Sequence, residues 1–283
     1  MKIIAVIPAR YSSTRLAGKV LLKDTGKFLI QHTYEQASLA KLPDKVIIAA
    51  DDEKIVSAAK SFGAECVLTS VNHQSGTDRI AEVVQKLSTN NDSLSPDDII
   101  VNVQGDEPEI DPANIDKVAK LLVDNPDYPM ATLVAPCERA EDVANPNIVK
   151  VIVSSCVERD AYRKKNTQYA IPNTQHAIYF SRSVIPYDRQ SGGIGSLSLY
   201  LRHIGIYAYR KDFLLKITSM PQTTLEKTEK LEQLRAIENG YGILVGKTKR
   251  TCDGIDTPEQ YAEFVKRYKN ILATEGTENT EKK

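Results

Sequence analysis

Three cations follow the first apolar run of the chain: Arg10, Arg15 and Lys19, in the segment Pro8-Ala9-Arg10-Tyr11-Ser12-Ser13-Thr14-Arg15-Leu16-Ala17-Gly18-Lys19. Guanidinium and ammonium groups set among small hydroxyl residues can wrap a polyphosphate, with backbone N–H groups adding donors. A solvated loop with surface charges is the alternative. Three cations within ten residues at a strand's end favour the phosphate reading. The segment has neither G-x-G-x-x-G nor G-x-x-x-x-G-K-[ST]. A dinucleotide dehydrogenase and a P-loop NTPase are therefore disfavoured. Asp106 follows the run Val101 to Val103, where a carboxylate is well placed to hold Mg²⁺ against a triphosphate. Asp256 precedes Thr257-Pro258 and, on its own residues, reads as a helix N-cap. Ser75-Gly76-Thr77-Asp78 opens a helix, and such an end both caps itself and offers spare N–H groups to an anion.

The elements that must position these groups alternate. Strands are expected at Ile3 to Ile7, Lys45 to Ala50, Cys66 to Thr69 and Ile99 to Val103. Helices are expected at Phe28 to Leu39, Glu53 to Phe62 and Asp78 to Leu87. Continuous Ile/Val runs suit parallel strands covered on both faces, so the fold class is α/β with a doubly wound, mostly parallel sheet. In such a sheet the loops beyond the strands' carboxyl ends face the ligand crevice. From Met130 the pattern changes. Strands at Met130 to Ala135, Ile148 to Ser154 and Ala177 to Phe180 follow without helices between them. Gly192-Gly193 and Gly195 mark a flexible loop before a strand at Leu201 to Tyr209. One continuous helix is expected over Thr224 to Asn239, then a strand at Ile243 to Lys247 and a last helix from Thr257. The span 1–273 reads as one domain with a smaller strand-rich insertion at about 182–209, and 274–283 as a disordered polar tail.

Composition bounds the function. The chain has 283 residues, 41% of them hydrophobic, enough for a sizeable core. Lys plus Arg equals Asp plus Glu at 37 each, so no general attraction to nucleic acid or to an acidic membrane is expected. Any anion site must be a local cluster. Cys66, Cys137, Cys156 and Cys252 form no C-x-x-C pair and read as reduced thiols of a cytoplasmic protein. No run approaches the ~20 apolar residues of a membrane span.

The pattern R-x-x-x-T-R-L-x-x-K resembles the nucleotide-binding segment of sugar nucleotidyltransferases, and in detail that of the 3-deoxy-manno-octulosonate cytidylyltransferases. Further matches follow in order: His73-Gln74-Ser75-Gly76-Thr77-Asp78-Arg79, Val101-Asn102-Val103-Gln104-Gly105-Asp106-Glu107-Pro108, Tyr179-Phe180-Ser181-Arg182, Arg202-His203-Ile204-Gly205-Ile206-Tyr207, Leu231-Glu232-Gln233-Leu234-Arg235 and Gly254-Ile255-Asp256-Thr257-Pro258. The resemblance spans roughly residues 2 to 268. Ala17 departs from the family's usual proline without removing a charge.

The resemblance implies a nucleotide-diphospho-sugar transferase-like fold and a cytoplasmic enzyme of lipopolysaccharide biosynthesis. That enzyme would join the CMP of CTP to an acidic keto-sugar and release pyrophosphate. A sialic acid or 8-amino-octulosonate cytidylyltransferase is the near alternative, and a non-catalytic nucleotide-binding module the distant one. Arg10, Arg15, Lys19, Asp106 and Asp256 are then implied as catalytic, with Asp106 and Asp256 holding Mg²⁺. Arg10, Ser13, Lys19, Ser75, Gly76, Thr77, Arg79 and Gln104 would bind the nucleotide. Gln104, Arg182, His203, Tyr207, Glu232 and Gln233 would line the sugar pocket. An acidic polyol needs a cation for its carboxylate and mixed donors and acceptors for its hydroxyls, and this set supplies both. The strand-rich segment resembles the family's dimer-forming insertion, so a homodimer is expected.

Overall fold

The computed structural model describes residues 1–12, 15–89, 94–155 and 175–278. Ser13, expected at the nucleotide, and Cys156 lie outside the described residues. Nine strands form one sheet: β1 (Ile3–Ala9), β2 (Lys45–Ala50), β3 (Glu65–Leu68), β4 (Ile99–Asn102), β5 (Met130–Pro136), β6 (Lys150–Ser155), β7 (Gln175–Ser181), β8 (Leu201–Arg210) and β9 (Ile243–Lys247). Their order is β3-β2-β1-β4-β8-β5-β9-β7-β6. The sheet is mixed. It is parallel across β3-β2-β1-β4 and between β5 and β9, and antiparallel where β8, β7 and β6 join.

The pleat sends alternate residues to opposite faces, and both faces are covered. From β1, Ile3, Ala5, Ile7 and Ala9 enter one core, while Ile4 and Val6 enter the other. Three helices cover the first face: α1 (Leu29–Ser38), α2 (Glu53–Ser61) and α4 (Pro112–Asp124), through Ile30, Ile55, Ile115 and Val118. On the second face lie α3 (Gly76–Thr89), through Ile80, Val83 and Val84, and α6 (Lys211–Ser219), through Phe213, Leu214 and Ile217. The short α5 (Ala140–Ala144) sits between β5 and β6, where no helix was expected.

Three expectations need correction. First, β8 does not belong to a separate insertion. It runs antiparallel between β4 and β5, with Ile204, Ile206 and Ala208 in one core and Tyr209 in the other. Second, the helix expected over Thr224 to Asn239 is two short ones, α7 (Thr224–Glu229) and α8 (Leu234–Glu238). Lys230 between them is left-handed at φ 55°, and both Leu231 and Leu234 turn into the core. Third, the last helix, α9 (Pro258–Glu278), continues its backbone past Thr274, where a disordered tail was expected. The glycine loop is also more ordered than expected: Asp188 N donates to Gly193 O (2.8 Å) and Gly193 N returns the bond to Asp188 O (3.0 Å).

Candidate active site

β1 lies between β2 and β4, whose chain connections leave in different directions, so a crevice opens beyond the carboxyl ends of β1 and β4. The loop after β1 and the loop after β4 meet there. Gly105 makes the meeting possible: a Cβ at this position would stand 2.5 Å from Pro8 O. Gly18, at φ 60°, turns the first loop into a single 3₁₀ turn at Lys19–Leu21. That turn delivers Lys19 inward, where the residue is 8% exposed.

Two adjoining clefts result. The larger, of about 460 Å³, is lined by Pro8, Arg10, Ser12, Arg15, Lys19 and Asp106 among others. The smaller, of about 170 Å³, is lined by Thr77, Asn102, Gln104, Tyr207, Glu232 and Gln233 among others. Gly76 and Gln104 line both. The first is cationic and suits a polyphosphate. The second is polar and walled by Tyr207 and Tyr209, which suits a polyhydroxylated ligand. Gln233 is buried, and its Nε2 has no hydrogen-bond partner among the described residues. A buried donor left unpaired costs free energy unless something else accepts from it.

Asp106 and Asp256 converge on one cation. Lys19 Nζ donates to Asp106 Oδ2 at 2.7 Å and to Asp256 Oδ1 at 3.0 Å. Arg15 Nη2 lies 2.9 Å from Asp256 Oδ2. The N-cap reading of Asp256 fails, because Thr257 Oγ1 accepts from Gln260 N and caps α9 itself. The two carboxylates already share one positive charge and offer hard oxygen donors, so they fit Mg²⁺. Among the described residues no group of three or more His, Cys, Asp or Glu could hold a metal, so the remaining ligands would be phosphate oxygens and water.

The start of α3 is self-capped. Asp78 N donates to Ser75 Oγ and Ser75 N donates to Asp78 Oδ2, both at 3.1 Å. Glu232 reaches this end from the break between α7 and α8. Burial raises its carboxyl, opposed by hydrogen bonds from Thr77 and Ser75 and by Arg235. The break that the sequence hid is therefore what carries Glu232 and Gln233 to the cleft.

Three expected residues stand elsewhere. Arg79 is fully buried; it donates to Thr69 Oγ1 (2.6 Å) and Ser70 O (3.1 Å) and pairs with Asp51 Oδ2 (3.2 Å). Asp51 Oδ1 in turn accepts from Tyr11 N at 2.8 Å. Arg79 thus braces the phosphate loop from inside rather than lining the cleft. Arg182 donates to Glu229 O, Pro146 O and Lys230 O, tying down the end of α7, and does not line the smaller cleft. His203 sits behind Tyr207, ring to ring at 5.2 Å, with Thr132 Oγ1 at 3.0 Å from its Nε2. Burial pulls its imidazole down to about 3, so it is neutral at pH 7.

Sequence reasoning missed Asn102 and Tyr209 in the smaller cleft. Asn102 had a signal: it is the lone amide in an Ile/Val strand, 3% exposed, with its Oδ1 3.4 Å from Gln104 Nε2. Glu107 was also passed over. It is 7% exposed, its Oε2 has no partner among the described residues, and burial beside Asp106 and Asp253 pushes its carboxyl up to about 8.

Comparison with known proteins agrees with this geometry. The family model described as Cytidylyltransferase matches residues 4–249. The chain is 44% identical over 268 residues to the 3-deoxy-manno-octulosonate cytidylyltransferase of Solibacter usitatus (strain Ellin6076), covering 95% of each. It is 43% identical over 279 residues to that of Pelobacter propionicus (strain DSM 2379 / NBRC 103807 / OttBd1), covering 96% of this chain and 99% of the other. Among solved structures, CMP:2-keto-3-deoxy-manno-octonic acid synthetase complexed with CTP is similar at a TM-score of 0.80 and 36% identity, over 97% of this chain and 100% of that one.

Proposed function

The chain belongs to the cytidylyltransferase family, and we propose that it performs this chemistry by direct in-line transfer with Mg²⁺ held on Asp106 and Asp256. It is a nucleotidyltransferase that uses CTP to activate 3-deoxy-manno-octulosonate, giving the CMP-sugar and pyrophosphate. The observation that carries the mechanism is the junction of the two clefts at Gly76 and Gln104, one cationic and one polar.

The sugar's anomeric hydroxyl attacks the α-phosphorus of CTP, and pyrophosphate leaves from the opposite side. Little covalent chemistry is asked of the protein, so positioning and charge neutralisation dominate. Arg10, Arg15 and Lys19 draw in the triphosphate and offset its charge. Gly76 and Thr77, at the start of α3, line the clefts and would offer backbone N–H groups to a phosphate, while Ser75 N–H is taken up by Asp78. Gln104 is held by its own bond to Gly205 O (3.1 Å) and separates nucleotide from sugar. Glu232, Gln233 and Tyr207 supply acceptors and donors for sugar hydroxyls, and His203 supports Tyr207 from behind. Asp106 and Asp256 would hold Mg²⁺, which would supply positive charge against the phosphates and make the attacking hydroxyl more acidic.

Two further features belong to this reading. A C₂ homodimer is part of the proposal, and the exposed apolar side chains of Tyr187, Leu199 and Ile178 are groups that such an interface would bury. Among the described residues no helix is long and apolar enough to cross a membrane. We place the enzyme in the cytoplasm, supplying an activated sugar for lipopolysaccharide.

The test is pyrophosphate release on mixing with CTP, Mg²⁺ and one sugar at a time. Release with 3-deoxy-manno-octulosonate, abolished by EDTA and absent with ATP, is expected. Faster release with 8-amino-octulosonate or sialic acid would reassign the sugar. No release with any of them would leave a nucleotide-binding module. Light scattering should give twice the 31.4 kDa chain mass; a monomer at micromolar concentration would remove the dimer.

A further inference from the structure

The cations assigned to the phosphates and the carboxylates assigned to the metal are, in this structure, each other's partners. Lys19 Nζ lies 2.7 Å from Asp106 Oδ2 and 3.0 Å from Asp256 Oδ1, and Arg15 Nη2 lies 2.9 Å from Asp256 Oδ2. Two negative and two positive charges cancel. The Lys19 side chain is 10% exposed, against 30% for Asp106 and 37% for Asp256, so the ammonium forms the floor between the carboxylates.

We infer that Lys19 holds the place of the divalent cation in the free enzyme, and that the metal site opens only when a polyphosphate draws Lys19 away. This rests on the reading of Asp106 and Asp256 as the metal pair. An ammonium between two carboxylates satisfies their charge with directed hydrogen bonds, as a metal would. A divalent ion arriving alone must displace it and leave that ammonium in a buried site without a counter-charge, which is costly. A triphosphate supplies the missing counter-charge. The flexible four-carbon stem of Lys19 lets the ammonium move from carboxylate to phosphate oxygens while its backbone stays in the turn after Gly18. Arg15 releases Asp256 in the same exchange. Metal and nucleotide affinities are thereby coupled positively, and by linkage each raises the other by the same factor. The order of events is built in: the carboxylates stay neutralised and the site stays closed to free metal until the substrate that needs it arrives.

Mn²⁺ binding to the full chain without nucleotide, followed by electron paramagnetic resonance, tests this. Wild type should bind Mn²⁺ weakly. Lys19→Met should bind it on the order of tenfold tighter or more, because a charge-assisted competitor has gone. Lys19→Met/Asp256→Asn should lose the gain. Lys19→Gln, which keeps a polar end, should show the same direction and guards against a misfolded Met variant; melting curves of both confirm the fold. Equal Mn²⁺ affinity in wild type and both Lys19 variants, lost in Asp256→Asn, would overturn the placeholder while leaving the metal pair intact. Absence of Mn²⁺ binding in every variant, with native melting, would overturn the metal pair itself and the placeholder with it.

Discussion

Thr257 and Gln260 cap the last helix reciprocally: Gln260 N donates to Thr257 Oγ1 at 3.3 Å, and Thr257 N donates to Gln260 Oε1 at 3.0 Å. This Thr-x-x-Gln arrangement is a capping box. It releases the preceding residue, Asp256, from the role its position in the sequence suggests. The Asp256 carboxylate is free to turn to Lys19 and Arg15.

Structural and chemical roles therefore separate by mutation. Asp256→Asn should leave the melting temperature within a degree or two of wild type and lower turnover by orders of magnitude, as should Asp106→Asn. The double mutant should lose far less than the product of the two effects, because both residues serve one site. Thr257→Ala should do the reverse, costing about 0.5–2 kcal/mol of stability with little change in turnover. Native turnover in Asp256→Asn would remove the carboxylate from the chemistry.

Arg79 tests whether the cation next to Ser75-Gly76-Thr77-Asp78 binds phosphate or braces the loop that does. Its guanidinium is fully buried, and Asp51, its partner, has a side chain only 11% exposed. Arg79→Met should destabilise the fold by about 3–5 kcal/mol, because it leaves a buried carboxylate unpaired. Arg79→Lys should rescue little, since one ammonium cannot reach Thr69, Ser70 and Asp51 together. Urea unfolding and the KM for CTP decide it. Native stability with lost CTP binding would return Arg79 to the phosphates.

What the sequence disclosed follows from what each signal measures. The β2 and β9 boundaries were legible because β-branched runs ended at polar residues. Helix α4 was missed although Asp111 caps it and Pro112 opens it. The placing of β8 at the sheet's centre was not legible, since strand order depends on contacts far apart in sequence. In the site, local motifs pointed to Lys19, Asp106 and Gln104, which line the larger cleft together. They could not say which way Arg79 and Arg182 point. A guanidinium's direction is set by carbonyls and carboxylates from other elements, here Asp51, Pro146 and Glu229.

Gly105 should prove intolerant of even one methyl group. A Cβ there would meet Pro8 O at 2.5 Å, and backbone cannot move aside as a flexible side chain can. Gly105→Ala should cost about 1–3 kcal/mol. It should also lower turnover, since the displaced loop carries Asp106. Native melting together with native turnover would show that the two loops do not meet as closely as described.

His203 makes a prediction about acid. Burial holds its imidazole at about 3, well below the ordinary 6.5. Its neighbours are the Thr132 hydroxyl and the rings of Phe180 and Tyr207, none of which stabilises a positive charge by ion pairing. Between pH 6.5 and about 3 the unfolded chain binds a proton at this residue that the folded chain does not, so folding weakens as pH falls through that window and is indifferent to it above 6.5. His203→Gln removes the effect. The difference in melting temperature between wild type and His203→Gln should be constant from pH 7 to 8.5 and shift against wild type from pH 6.5 to 5. The fall isolates His203 from the other histidines, which both proteins share. Ring proton shifts of His203 should stay at their neutral values at pH 5. A difference that does not change with pH, or an imidazole that titrates near 6.5, would mean that water reaches the ring and that Tyr207 is backed by a charged group rather than a neutral one.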